Sequence, residues 1–220
     1  MSRLVVFDCD GTLVDSQHLI IEAMGVAFGE HGREIPPPDA IRHVVGLSLV
    51  EAVADLATEA TIVECHAIAL AYKDAFHELR QRPEMIEPMF DGATQALVEL
   101  DQRGYLLGMA TGKSRRGADA VLAHHGLVEL FVSVQTGDRH PSKPHPGMLE
   151  QVMSETGSRA AETILIGDTT FDMAMARAAG VRPIAVAWGY HPIDALRHAG
   201  AADVVHDFDQ LLKMITKVMQ

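Results

Sequence analysis

The stretch Arg3-Leu-Val-Val-Phe-Asp-Cys-Asp-Gly-Thr-Leu-Val-Asp15 decides how the rest of the chain is read. Arg3 to Phe7 is a short, mostly apolar run that predicts a buried strand. Asp8 and Asp10 emerge where that strand ends, and Gly11 turns the chain at once. In open α/β sheets, ligands gather at the carboxyl ends of the strands. Two carboxylates held there repel each other, and a hard divalent cation is the simplest offset. One acid of such a pair can act as nucleophile while the other moves a proton. An Asp-Gly surface turn is the plainer alternative for the octet alone.

Outward from this stretch the chain has two textures. Residues 16 to 80 read as helical throughout. Leu19, Ile20, Ala23, Met24 and Ala27 make an apolar stripe over Ser16–His31. The run Glu34-Ile-Pro-Pro-Pro-Asp39 breaks it, and Asp39 is expected to cap a short helix. Ser48 is the expected cap of a helix over 49–57, and a long helix is expected over 61–80. Pro83 and Pro88 mark the exit. From residue 90 onward, strands and helices alternate: strands at 105–110, 131–134, 163–166, 183–187 and 203–205, with helices between and after them. This alternation predicts an α/β fold with a mainly parallel sheet and helices on both faces. The first strand belongs to that sheet, so the helical block is an insertion after it. The expected division is a Rossmann-like core, 1–15 and 86–220, and an inserted all-helical domain, 16–85.

At 220 residues the chain is long enough to bury a substantial core. Its formal charge of −12 argues against a nucleic-acid or anionic-membrane surface. The two cysteines, Cys9 and Cys65, have no metal-type spacing. Cys9 is expected to point inward as an inert thiol, since flanking carboxylates raise its pKa. With neither a signal peptide nor an apolar run of about 18 residues in view, a cytoplasmic protein is expected.

Three further sites fall at or beyond strand ends. Thr111-Gly112-Lys113 offers a hydroxyl and an amide before a helix N-terminus, a cradle for phosphate oxygens that also reads as a plain connection. Lys143 stands in the proline-rich loop His140-Pro-Ser-Lys-Pro-His-Pro146, where it can offset anionic charge or be an ordinary solvated lysine. Gly167-Asp168-Thr-Thr-Phe-Asp172 places two acids around the next strand end, both able to face one cation, with helix capping by Asp168 as the alternative. The histidines match no metal spacing, and Met173 and Met175 are expected as core fillers.

In this order, the four pieces resemble the motifs of the haloacid dehalogenase superfamily, in its phosphatase branch. Asp8-x-Asp10-Gly-Thr, Thr111-Gly112, Lys143-Pro144 and Gly167-Asp168-x-x-x-Asp172 correspond to its four motifs, and the helical block to its cap inserted after the first. The phosphoglycolate-phosphatase-like group is the most similar, partly through Arg42-x-x-Val45-Gly46 and Ala187-Trp-Gly-Tyr-His191. The resemblance implies a phosphatase in which Asp8 attacks phosphorus and Asp10 is the acid/base. It implies Mg²⁺ held by Asp8, the Asp10 carbonyl, Asp168 and Asp172. Thr111, Gly112 and Lys143 would bind the phosphoryl group, and Arg42 is a candidate for the leaving group.

The substrate implied is a small phosphorylated metabolite such as 2-phosphoglycolate, hydrolysed by a monomer or homodimer that binds neither nucleic acid nor membrane. An acid at Asp10 disfavours dehalogenation. Ile20 stands where sugar-phosphate mutases carry a histidine, and Lys73, the only lysine of 16–80, lies away from Gly46, which disfavours phosphonate cleavage. That block holds ten Asp/Glu against four Lys/Arg, an awkward partner for a substrate carboxylate. Mutase, pyrophosphatase and non-catalytic phosphate-binding readings therefore remain beside the phosphatase.

Overall fold

In the computed structural model, which describes residues 3–82 and 87–219, the opening run forms β1 (Leu4–Phe7) with every side chain buried. Pro83 and the expected boundary at 85/86 lie outside the described residues. Four helices follow: α1 (Gln17–Glu30), α2 (Pro38–Val44), α3 (Leu49–Leu56) and α4 (Ile62–Leu79). Next come α5 (Ala93–Gln102), β2 (Leu106–Thr111), α6 (Arg115–His124), β3 (Phe131–Thr136) and α7 (Gly147–Thr156). The chain ends through β4 (Thr163–Gly167), α8 (Thr170–Ala178), β5 (Arg182–Val186), α9 (Ile193–Ala199), β6 (Asp203–Val205) and α10 (Phe208–Val218).

The six strands form one parallel sheet in the order β3-β2-β1-β4-β5-β6. This is the doubly wound, Rossmann-like order, whose direction reverses at β1. The two-residue period of β1 feeds both faces: Val5 and Phe7 pack with Leu97, Leu122 and Leu211, while Leu4 and Val6 pack with Met148, Leu149 and Met175. Met173, also fully buried, fills a gap against Ala185 and Leu196, as expected of a flexible thioether. Strand register then builds the site. Phe7 is level with Met109 of β2 and Ile166 of β4, so Asp8, Thr111 and Asp168 leave the sheet along one edge.

The helical insertion has its own core of Met24, Phe28, Ile41, Val53, Cys65 and Ile68. Thr61 starts α4 with a capping box, its hydroxyl accepting from the Glu64 amide while Glu64 accepts from the Thr61 amide at 2.8 Å. One expected cap is displaced, and the other holds its position without a side-chain bond. The α2 N-cap is Pro37, with Pro38 at the first helical position and Asp39 exposed in the first turn. Ser48 does precede α3, but its side chain makes no cap bond; its amide instead donates to Ser142 Oγ at 2.8 Å, tying the insertion to the core. Among the described residues, no helix is long and apolar enough to cross a membrane.

Candidate active site

Three carboxylates converge at the reversal point of the sheet. Asp8 follows β1, Asp168 follows β4 and Asp172 lies in the first turn of α8; each offers an oxygen within 4.8 Å of the others, and all are buried. Lys143 enters from the loop before α7, with its Nζ 2.7 Å from Asp172 Oδ1 and 3.0 Å from Asp8 Oδ1. Asp172 is held from its other side by the Thr169 hydroxyl at 2.6 Å and amide at 3.1 Å, the capping box of α8. Asp168 accepts from the Thr12 hydroxyl at 2.8 Å and the Tyr190 amide at 2.9 Å. The capping alternative for Asp168 falls away, because Thr169 is the N-cap.

Asp8 is less fully held: Lys143 is the one partner of its Oδ1, at 3.0 Å, and its Oδ2 has no hydrogen-bond donor among the described residues. Burial, only partly offset by Lys143 and reinforced by Asp172 and Asp10, pushes Asp8 up to about 7. Burial and the repulsion of Asp8 and Asp172 push Asp168 well up too. For Lys143, burial alone would lower the pKa, but Asp172 and Asp8 outweigh it and raise the group instead. One cation facing three carboxylates leaves a deficit of positive charge. An all-oxygen donor set with an unpartnered Asp8 Oδ2 among the described residues suits a hard divalent ion. The tight turn is built around these acids: at Gly11, with φ of +81°, a Cβ would fall 2.3 Å from Asp168 Oδ2.

The description "haloacid dehalogenase-like hydrolase" matches residues 5–186. The chain belongs to this family. Among its relatives is IndB of Dickeya dadantii, named a probable phosphatase, 37% identical over 96% of this chain and 93% of that protein. The pyrophosphatase PpaX of Halalkalibacterium halodurans is 30% identical over 96% of this chain and 95% of its own. The phosphoglycolate phosphatase of Vibrio cholerae is 26% identical over 97% and 96%. A hydrolase structure from Pseudomonas syringae superposes with a TM-score of 0.88 at 23% identity, covering 100% of both chains.

In this hydrolase the carboxylate of Asp10 stands apart from the acid cluster. Its Oδ1 accepts from the Ser16 hydroxyl and pairs with Lys113 Nζ at 2.8 Å. Lys113 pairs a second time with Glu87 at 2.8 Å, and Glu87 lies 2.9 Å from Arg80 Nε. Asp10 and Glu87 outweigh the burial of Lys113 and push its pKa well up. Lys113 stood in the sequence beside Thr111 and Gly112, and its place in the same turn was the available signal. Glu87 gave none, since an acid beside Pro88 reads as exposed loop. Cys9 is fully buried, and burial followed by Asp10 pushes its thiol up, so it is inert as expected.

Thr111 is buried at the end of β2, and its hydroxyl accepts from the Lys113 amide at 3.2 Å. Gly112 brings the core against the insertion: a Cβ there would lie 2.5 Å from the Leu47 carbonyl oxygen and 2.6 Å from that of Gly46. Between core and insertion lies a cavity of about 880 Å³, reached by Asp10, Gly112 and Lys113. Arg42 is the expectation the structure corrects. Ile41 and Val44 line the cavity, whereas Arg42 turns along the outside of α2 to pair with Asp39 and to reach Gln17 Oε1 at 3.3 Å. Its helical position one residue after Ile41 carries it off the lining face. His191 is used structurally: it stacks on His43, and its Nε2 lies 2.9 Å from the His43 carbonyl oxygen.

Proposed function

We propose that the chain is a Mg²⁺-dependent phosphatase of small phosphomonoesters, working through an aspartyl-phosphate on Asp8. The observation that carries this is the Asp8 carboxylate, buried, paired only with Lys143 among the described residues, and set beside two further acids. Such a carboxylate is poor at being solvated and well placed to be a nucleophile. Asp8 attacks phosphorus and displaces the alcohol. Asp10 gives the leaving oxygen its proton, then takes one from the water that hydrolyses the acyl-phosphate. Ser16 and Lys113 hold the Asp10 carboxylate in place for both transfers. Thr111, the Gly112 amide and Lys143 bind the phosphoryl oxygens.

Asp8, Asp168, Asp172 and the Asp10 carbonyl would hold Mg²⁺, which supplies charge neutralisation for an anionic substrate entering an acidic site. The helical insertion after β1 acts as the cap over this site, and its closure excludes water. A small phosphorylated acid such as 2-phosphoglycolate is the first substrate to test, in keeping with the phosphoglycolate phosphatase among the relatives. Release of phosphate from p-nitrophenyl phosphate with Mg²⁺, and its loss in EDTA and in Asp8→Asn, is the expected result. Full activity of Asp8→Asn, or no metal-dependent turnover at all, overturns the proposal.

A further inference from the structure

The charge of the insertion is segregated on a single helix. Lys73 and His77 of α4 and Arg80 at its C-cap recur at the spacing of one face and all line the cavity. Asp74 and Glu78, each one residue on, face an outer groove that they share with Glu22 and Glu30, relieved by His31 and Arg82. The acidic excess of the insertion thus lies on the outside, while its only lysine faces the cavity. The opposite wall agrees. Lys113 and Arg116 line the cavity, whereas Arg115 is bound to Asp119 at 2.8 Å.

These cations are not equally occupied. Lys113 is neutralised by Asp10 and Glu87, and Arg80 by Glu87. Among the described residues, Lys73 and Arg116 make no ion pair; Arg116 Nη2 lies 3.0 Å from the ring nitrogens of His77, which bridges core and insertion without supplying negative charge. The other lining acids are Glu51 of α3 and Asp138, the latter already accepting from the Thr136 hydroxyl at 2.7 Å and the Arg115 amide at 3.0 Å. Two exposed cations without ion pairs, one on the insertion and one on the core wall of the same cavity, outnumber the one lining acid likewise unpaired, Glu51, and form a site for an anion. Apolar residues such as Ile20, Leu47 and Val50 line the same cavity, and its volume suits a ligand well beyond two carbons.

We propose that the substrate carries a second anionic group, a carboxylate or a further phosphate, and that Lys73 and Arg116 bind it across the cap–core cavity. This rests on the phosphatase reading of Asp8. The test is phosphate release from glycerol 3-phosphate, which has no second anion, against 3-phosphoglycerate and fructose 1,6-bisphosphate, in the full chain with Mg²⁺. The wild type is expected to favour at least one of the two doubly anionic esters by roughly tenfold or more in kcat/KM, mostly through KM, the size of one charge-assisted contact. Which of the two is favoured assigns the anion as carboxylate or phosphate. Lys73→Ala with Arg116→Ala should erase the preference, Arg116→Lys should restore most of it beside Lys73, and Asp74→Asn with Glu78→Gln on the outer face should leave it intact.

A wild type that shows no preference, or a double variant that keeps it, overturns the inference while turnover of glycerol 3-phosphate leaves the phosphatase reading standing. A double variant that loses all three substrates equally also overturns it, because the two residues are then structural. No turnover of any ester, p-nitrophenyl phosphate included, removes both readings together.

Discussion

Replacing Lys143 by methionine should destabilise the metal-free protein severely and the Mg²⁺-loaded protein much less. Lys143 is fully buried between Asp8 and Asp172, at 3.0 and 2.7 Å, and is the only cation touching the three-acid cluster among the described residues. Methionine keeps the length and most of the volume of the side chain, so the loss is electrostatic rather than a cavity. Removing one partner of a buried ion pair costs about 3–5 kcal/mol, because the remaining charge is left without compensation. For a chain of this size each kcal/mol moves the melting temperature by roughly 2–4 °C, which gives a fall of about 6–20 °C in EDTA.

A divalent cation supplies the missing positive charge, so excess Mg²⁺ should raise the melting temperature of the variant by more than it raises that of the wild type. Adding Asp8→Asn to Lys143→Met removes one of the opposing charges and should recover part of the loss in a double-mutant cycle. The assay is thermal unfolding at neutral pH in EDTA and in excess Mg²⁺, for the wild type, both single variants and the double variant. A drop of less than about 2 °C in EDTA, or an equal Mg²⁺ gain in wild type and variant, refutes the charge balance argued for the site.

Two other expectations follow from the geometry. Gly112→Ala sets a methyl 2.5–2.6 Å from the Leu47 and Gly46 carbonyl oxygens, which must move apart; overpacking of this kind costs about 1–3 kcal/mol, and kcat/KM should fall with it, so unchanged kinetics would count against a closed cap–core contact at this point. Glu64 is held down to about 2, first by the Thr61 amide and then by Arg33, so the stabilisation it gives the start of α4 is present above the ordinary carboxylate pKa and is lost as the pH falls from about 4.5 toward 2. A carboxyl titration by NMR reads this directly, and a Glu64 pKa near the ordinary value of about 4.3 would contradict the capping box.

Much of the layout was legible without coordinates. The strand at 203–205 and the helix at 208–218 are found where the pattern put them, and most other elements differ by one or two residues at their ends. The period-two burial of β1 and the helix-period stripe of α1 are local properties, so a window of sequence contains them. The cap of α2 was misread for the converse reason. Proline chemistry at 36–38 displaced Asp39 from the cap of α2, while Ser48 holds the N-cap position of α3 without a side-chain bond to it. Arg42 was drawn toward the site by its proximity to the Gly46 turn, but helix phase sends it outside.

The sequence by itself determined the chemistry on offer: carboxylates at 8, 10, 168 and 172, a lysine at 143, and strands placed to bring them to one edge. Those are matters of residue type and short-range pattern. Tertiary structure alone decided how they divide the work. It separated Asp10 from the acid cluster and gave it to Ser16 and Lys113, buried Glu87 beside them, and left Lys143 as the partner of Asp8. It also turned an insertion that is acidic by count into a basic wall, because charge acts through position in space and a net total carries no direction.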